Sequence, residues 1–157
     1  MFVCTLRAST IKFFAIIALT LAVLVGAIAI GGAGAVTVSA AVNVDFSGIK
    51  ENTDRINFIS SLGYKVKKEA VEEVTFVVPE RLDSAMSTYN ELQKSQGLDL
   101  TRYKNKKVTR FTYLVEEYPD YDKDVYVNLI VHRGTVIACD ISSADPDGFV
   151  KPLISIE

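Results

Sequence analysis

No charged residue occurs between Phe13 and Val44, and this stretch decides where the rest of the chain can reside. Arg7 and Lys12 precede it, and Asp45 is the first acid after it. At about 1.5 Å per residue such a run would make a helix of roughly 48 Å. A bilayer core of about 30 Å needs only about 20 residues. The most apolar part is Ile11–Ile30, and Gly31, Gly32 and Gly34 follow it. Glycine weakens a helix by about 1 kcal/mol relative to alanine, so the helix is expected to end there. The two cations hold the N-terminus inside. The expected organisation is a cytoplasmic N-terminus (1–12), a transmembrane helix or signal sequence (13–32), a linker (33–51) and an extracytoplasmic domain (52–157).

The alternative to a signal anchor is a cleaved signal and a secreted domain. Val38-Ser39-Ala40 before Ala41 fits a small-residue cleavage site, but the apolar run exceeds the usual middle region of about 7–15 residues. A buried helix of a soluble protein fits less well, because the segment is apolar on every face and basic at one flank. Cys4 precedes the apolar run, so it cannot be the lipidated cysteine that directly follows a lipoprotein signal. Acylation of a juxtamembrane cysteine is known chemistry, yet an ordinary thiol is the simpler account.

Of the 157 residues, 113 follow Val44, enough for one domain without covalent staples. The whole chain has 17 basic and 19 acidic residues; only Arg7 and Lys12 lie before Asp45, so the outer part has 15 and 19, a net −4. That balance argues against nucleic acid as a partner. Cys4 and Cys139 fall on opposite sides of the anchor, or are parted by cleavage, so no internal disulfide is expected. With His132 the only histidine, a structural zinc site lacks ligands, and no cofactor is expected.

Asn43–Glu51 reads as a polar tether. Asn52 or Thr53 suits an N-cap and Asp54 the first turn of a helix carrying Ile56, Ile59 and Leu62, closed by Gly63. Tyr64–Lys67 predicts a short strand and Val74–Val78 a second, stopped by Pro79. Pro79 also suits the opening of a helix with Leu82, Ala85, Met86, Tyr89 and Leu92 along its stripe, ended by Gly97. Leu98, Leu100 and Tyr103 anchor a connector. Val108–Glu116, the alternating run Val125–Val131, and Val136–Ile141 after an Arg133-Gly134 turn predict an antiparallel meander. The expected fold is α+β, order α-β-β-α-β-β-β, with about two helices on one face of a mainly antiparallel sheet.

The segment Tyr89–Leu100, with Tyr103-Lys104 and Lys106-Lys107-Val108 after it, resembles a family of membrane-anchored proteins from Gram-positive, clostridial-type bacteria. So does Val131–Phe149, with Asp140-Ile141-Ser142-Ser143 and Asp147-Gly148-Phe149. The family is known as a domain of unknown function. The resemblance covers roughly Ile49–Leu153; it implies one domain behind an apolar segment and supplies no catalytic residues.

Several polar groups are candidates for chemistry. Asp120, Asp122 and Asp124, with Glu116 and Glu117 nearby, mimic the start of a calcium loop but lack its glycine and closing glutamate; a solvated hairpin loop is the simpler account. Asp140, Ser142, Ser143, Asp145 and Asp147 form a second cluster, whose Asp-Pro-Asp-Gly is a turn signal. A hydrolase would have to use His132 with Asp140 and Ser142, without a nucleophile-elbow pattern. His132 itself reads as a surface residue, and Cys139 as a buried apolar one on the same strand face as Ile137 and Ile141. Lys104, Lys106, Lys107 and Arg110 make a basic patch able to meet anionic headgroups or wall polymers, although a solvated flank of charges at a strand edge is the simpler account. Tyr121 belongs to a set of tyrosines suited to an interaction face, most of which fit equally well as half-buried sheet residues. The expected function is a non-enzymatic binding domain held at the cell membrane, its partner a protein or envelope component, with Lys104, Lys106, Lys107, Arg110, Tyr121, Asp140 and Asp147 as possible contacts. The alternatives are a secreted version released after Ala40 and an envelope hydrolase or metal-dependent enzyme.

Overall fold

The computed structural model of the protein describes residues 44–145 and 147–154. The expected membrane segment (13–32) and most of the linker lie outside these residues. Among the described residues no helix is long and apolar enough to cross a membrane. Two helices, α1 (Asn52–Ser61) and α2 (Ser84–Lys94), accompany five strands: β1 (Glu72–Val77), β2 (Lys107–Leu114), β3 (Val125–His132), β4 (Thr135–Ser143) and β5 (Val150–Pro152). The strands form one antiparallel sheet in sequence order.

The α+β expectation therefore fits, with differences that have local causes. Tyr64–Lys67 contributes only a single bridge, Val66 to Val115, which continues the line of β1 along β2. The fifth strand comes instead from Val150–Pro152. Glu51, not Asn52 or Thr53, opens α1, because Asp54 reaches back to accept from the Glu51 and Lys50 amides at 2.8 and 3.0 Å. Helix α2 starts well past Pro79, where Asp83 accepts from the Met86 amide at 2.8 Å.

The helices cover opposite faces of the sheet, not one. Directly opposed residues of an antiparallel sheet share a face. Tyr113, Val127 and Ile141 are opposed across β2, β3 and β4, and Thr112, Asn128 and Asp140 form the adjacent row on the other face. Tyr113 donates to Asn52 at 2.7 Å and accepts from Arg55 at 2.8 Å, fixing α1 over the first row. The Arg55 guanidinium also lies 3.7 Å from the centroid of Phe111. Tyr89 donates to Asp140 at 2.7 Å, fixing α2 over the second. The core is accordingly split in two. One cluster holds Phe58, Ile59, Phe111, Tyr113, Val127, Leu129 and Ile141, and the other Val78, Met86, Tyr89, Leu100, Val108, Ile130, Ile137 and Ala138.

Ile137 belongs to the α2 side although Cys139 and Ile141 belong to the α1 side. Between Ile130 and Val131 the register shifts: Ile130 opposes Ala138 and Val131 opposes Val136, leaving Ile137 as an extra residue. A one-residue bulge reverses the alternation on its strand. The Arg133-Gly134 turn behaves as expected, with φ of 48° and 78°, the doubly positive geometry of a tight hairpin.

Asn43–Glu51, read as a tether, is docked from Val44 onward. Phe46 packs on Phe58 with ring centroids 6.0 Å apart, and Ile49 is buried. The Val136 amide donates to the Phe46 carbonyl, and the Ile49 amide to the Gly134 carbonyl, each at 2.8 Å. The chain thus enters the domain beside the β3–β4 turn.

The last feature is a pair of glutamines where β5 runs out. Strand β5 pairs with β4 only from Asp140 to Ser142. At the next residue, Cys139, the main chain is completed by side chains of α2 and the turn after it. Gln93 Oε1 accepts from the Cys139 amide at 2.9 Å, and Gln96 Nε2 donates to the Cys139 carbonyl at 2.9 Å. Gln96 Oε1 then accepts from the Ile154 amide, also at 2.9 Å. A carboxamide carries the same donor and acceptor as a peptide group, so Gln96 stands in for a strand residue between β4 and the C-terminal segment. Replacing Gln96 with Ala would leave buried main-chain groups unpaired, at about 1–3 kcal/mol each. Urea unfolding of Gln96→Ala is expected to show a loss in at least that range, and Gln96→Glu a similar one because the donor is lost.

Candidate functional site

Two polar regions merit comparison, one buried under α2 and one open at the loop end of the sheet. The buried one follows from the register. Thr112, Asn128 and Asp140 stand side by side on β2, β3 and β4. Thr112 Oγ1 donates to Asn128 Oδ1 at 2.8 Å, and Asn128 Nδ2 donates to Asp140 Oδ2 at 2.8 Å and to Ser142 Oγ at 3.0 Å. With Tyr89 on its other oxygen, Asp140 has both carboxylate oxygens engaged. Asp140 is 4 % exposed. Burial raises its pKa, against the lowering effect of Tyr89, Asn128 and the Arg110 charge. Burial and the neighbouring Asp140 together hold the Tyr89 hydroxyl well above its usual range. Arg110 lies on the same face, pairs with Glu72, and has its pKa lowered by desolvation. Burial also pushes the Cys139 thiol up, the opposite of what a nucleophilic cysteine needs.

This network fastens α2 to the sheet. Asn128 is opposite Asp140 and His132 lies four residues farther along β3, roughly 13 Å at about 3.3 Å per residue. Ser142 is opposite Tyr126, farther still from His132. The His132 ring instead packs on Tyr103 with centroids 5.6 Å apart, and its Nδ1 lies 3.0 Å from the Lys107 carbonyl. His132, Asp140 and Ser142 are therefore not brought together.

At the loop end, β2–β3 and β4–β5 connections meet. Tyr118, Tyr121 and Phe149 form a half-buried aromatic trio with centroids 5.3 to 6.5 Å apart. Tyr121 shares a 2.7 Å hydrogen bond with Ser143 Oγ, and the Lys151 ammonium lies 4.5 Å from the Phe149 centroid. A groove of about 350 Å³ beside Tyr118 and Tyr121 is lined by Glu116, Glu117, Asp122 and Asp124. Lys123 of the same loop is paired with Asp145. Among the described residues no three His, Cys, Asp or Glu side chains form a group able to hold a metal ion.

The residues singled out from sequence are thus divided. Tyr121 lies in the aromatic trio, and Asp147 is exposed in the neighbouring turn. Lys104, Lys106 and Lys107 are exposed at the opposite end, where β2 begins. Arg110 is not part of their surface, because three residues into β2 it turns under α2. Asp140 is enclosed by Tyr89 and Asn128. Asn128 and Thr112 are not singled out in the sequence; only their place as polar residues among the apolar ones of the α2 face of two alternating strands could have flagged them.

A raised carboxylate pKa means that neutral Asp140 is favoured by folding. Its contribution is fully present below the ordinary value of 3.8 and is lost as pH rises through the folded value. Measured by urea unfolding across pH 3–7, wild type is expected to gain stability relative to Asp140→Asn as pH falls. A difference that is flat with pH would remove the burial effect assigned to Asp140.

Residues 58–141 match the model of a family described as a domain of unknown function (DUF4830). The matched region runs from within α1 to within β4, so it contains both helix-pinning contacts to Tyr113 and Asp140 on the sheet side. No curated protein and no solved structure matches the chain. The match spans more than half of the 157 residues, and the chain belongs to the DUF4830 family.

Proposed function

We propose that this chain is a membrane-anchored protein, N-terminus inside, whose extracytoplasmic domain binds a protein or another envelope component and performs no catalysis. The observation that carries the binding role is the aromatic trio Tyr118, Tyr121 and Phe149 at one pole, beside a groove with carboxylates on its rim. Aromatic side chains offer large, rigid contact area with a polar edge, the composition that interfaces favour. The groups that hydrolysis would recruit serve elsewhere: Asp140 holds α2, and His132 lies on Tyr103. Anchoring is supported by the charge-free run after Arg7 and Lys12. Lys104, Lys106 and Lys107 share the end of the sheet at which the chain enters, a basic margin suited to anionic headgroups. Release after Ala40 would give the same domain in secreted form.

The test is made in a Gram-positive host. A phosphatase reporter fused after Glu157 is expected to be active outside the cytoplasm. The purified chain is expected to co-sediment with isolated envelopes, with affinity reduced about tenfold or more in Tyr121→Ala and Phe149→Ala, the loss typical of a central aromatic contact. Circular dichroism must show both variants folded. An inactive reporter would refute the topology; equal sedimentation of both variants would refute the assigned face.

A further inference from the structure

The two edges of the sheet are treated differently. The β5 edge is short, carries Lys151 and Pro152, and is continued by the glutamine side chains at Cys139. Such features block pairing with a further strand. The β1 edge has none of them: Glu72–Val77 contains no lysine, no proline and no break in its pairing with β2. Val71 and Val77, at its two ends, are the exposed large hydrophobic residues among those described, at 54 % and 56 %.

The outward-facing groups of β1 can be identified. The Val78 amide donates to Lys106 and its carbonyl accepts from Asn105, so Val78 faces β2. Alternation then turns Val74 and Phe76 toward β2, and Glu73, Thr75 and Val77 toward the free edge. Val71 turns inward again, donating to the Thr112 carbonyl at 2.8 Å.

We propose that β1 pairs with β1 of a second copy of this chain, antiparallel and centred on Thr75. A two-fold axis perpendicular to the sheet is required, because it alone keeps each face continuous across the pair. Of the possible registers, this one engages Glu73, Thr75 and Val77 on both copies. A shift one way would need the Val71 amide, already bonded to Thr112, and a shift the other way would need Pro79, which has no N–H. Thr75 then faces Thr75, Val74 faces Phe76, and Glu73 faces Val77. No like charges are opposed. Beyond Val77 on the same row is exposed Lys107, about 10 Å at Cα from the incoming Glu73 at two strand spacings, within reach of two long side chains. The same axis lets both N-terminal segments leave on the α1 side, where Phe46 docks on Phe58. The pairing does not depend on the ligand face proposed above.

Sedimentation equilibrium of the full-length chain in mild detergent is expected to give twice the chain mass. Thr75→Pro removes an outward N–H that makes no bond among the described residues, and with it only the exposed 3.0 Å side-chain contact to Thr109, so it should be monomeric with at most a small drop in its unfolding midpoint. Glu73→Lys should weaken the dimer roughly fivefold per ion pair, and Glu73→Lys with Lys107→Glu should recover it. In a Cys4→Ser background, Thr75→Cys should form a disulfide-linked dimer on mild oxidation, since opposed residues of this kind lie about 5.5 Å apart at Cα, inside the disulfide range. A monomer at every concentration, a dimer unaffected by Thr75→Pro, or cross-linking of Thr75→Cys only to other proteins would each overturn the proposal.

Discussion

The carboxamides of Gln93 and Gln96 determine how this sheet ends. A buried strand edge must find partners for its amides and carbonyls. Strand β4 loses its neighbour at Cys139, and two side chains from the α2 region supply what a peptide group would have supplied. The same Gln96 then receives Ile154, so the C-terminal segment, the helix and the central strand are tied at one point. Gln93 Nε2 has no partner among the described residues, so the closure retains one unpaired buried donor. Once this edge is closed, the long regular strand β1 is left as the open one among the described residues, and the asymmetry of the sheet follows.

The rest of the architecture extends from two tyrosines on opposite faces. Tyr113 receives α1 through Asn52 and Arg55, and Tyr89 brings α2 down on Asp140. Each contact joins residues more than fifty positions apart, and each uses a polar group within an apolar cluster. An unpaired polar group in such a place is expensive, so these contacts specify one arrangement of helix on sheet instead of merely adding attraction. Enclosing Asp140 in this way removes it from solvent.

Much of this was legible in the residues. The alternation of Val125, Val127, Leu129 and Val131, the Arg133-Gly134 turn and the β-branched run before Pro79 predict their elements because each signal is local. What was not legible depended on partners distant in sequence. A bulge sends Ile137 to the other face, which alternation alone cannot foresee. Gln93 and Gln96 look like solvent-facing helix residues, yet they are buried because Cys139 needs them. Two helices could equally share a face or take one each until the partners of Tyr113 and Asp140 are known. Of the candidate site, Tyr121 was visible as an aromatic in a polar loop, but its grouping with Tyr118 and Phe149 required the β5 connection to fold back.

The central claim is that side chains of the α2 region complete the β4 edge. Amide hydrogen exchange of the Cys139 N–H, followed residue by residue, tests it most directly. Protection close to that of the Leu129 and Ile141 amides, lost selectively in Gln93→Ala, is the predicted result. Rapid exchange of Cys139 in the wild-type chain, or protection that survives Gln93→Ala, would contradict it.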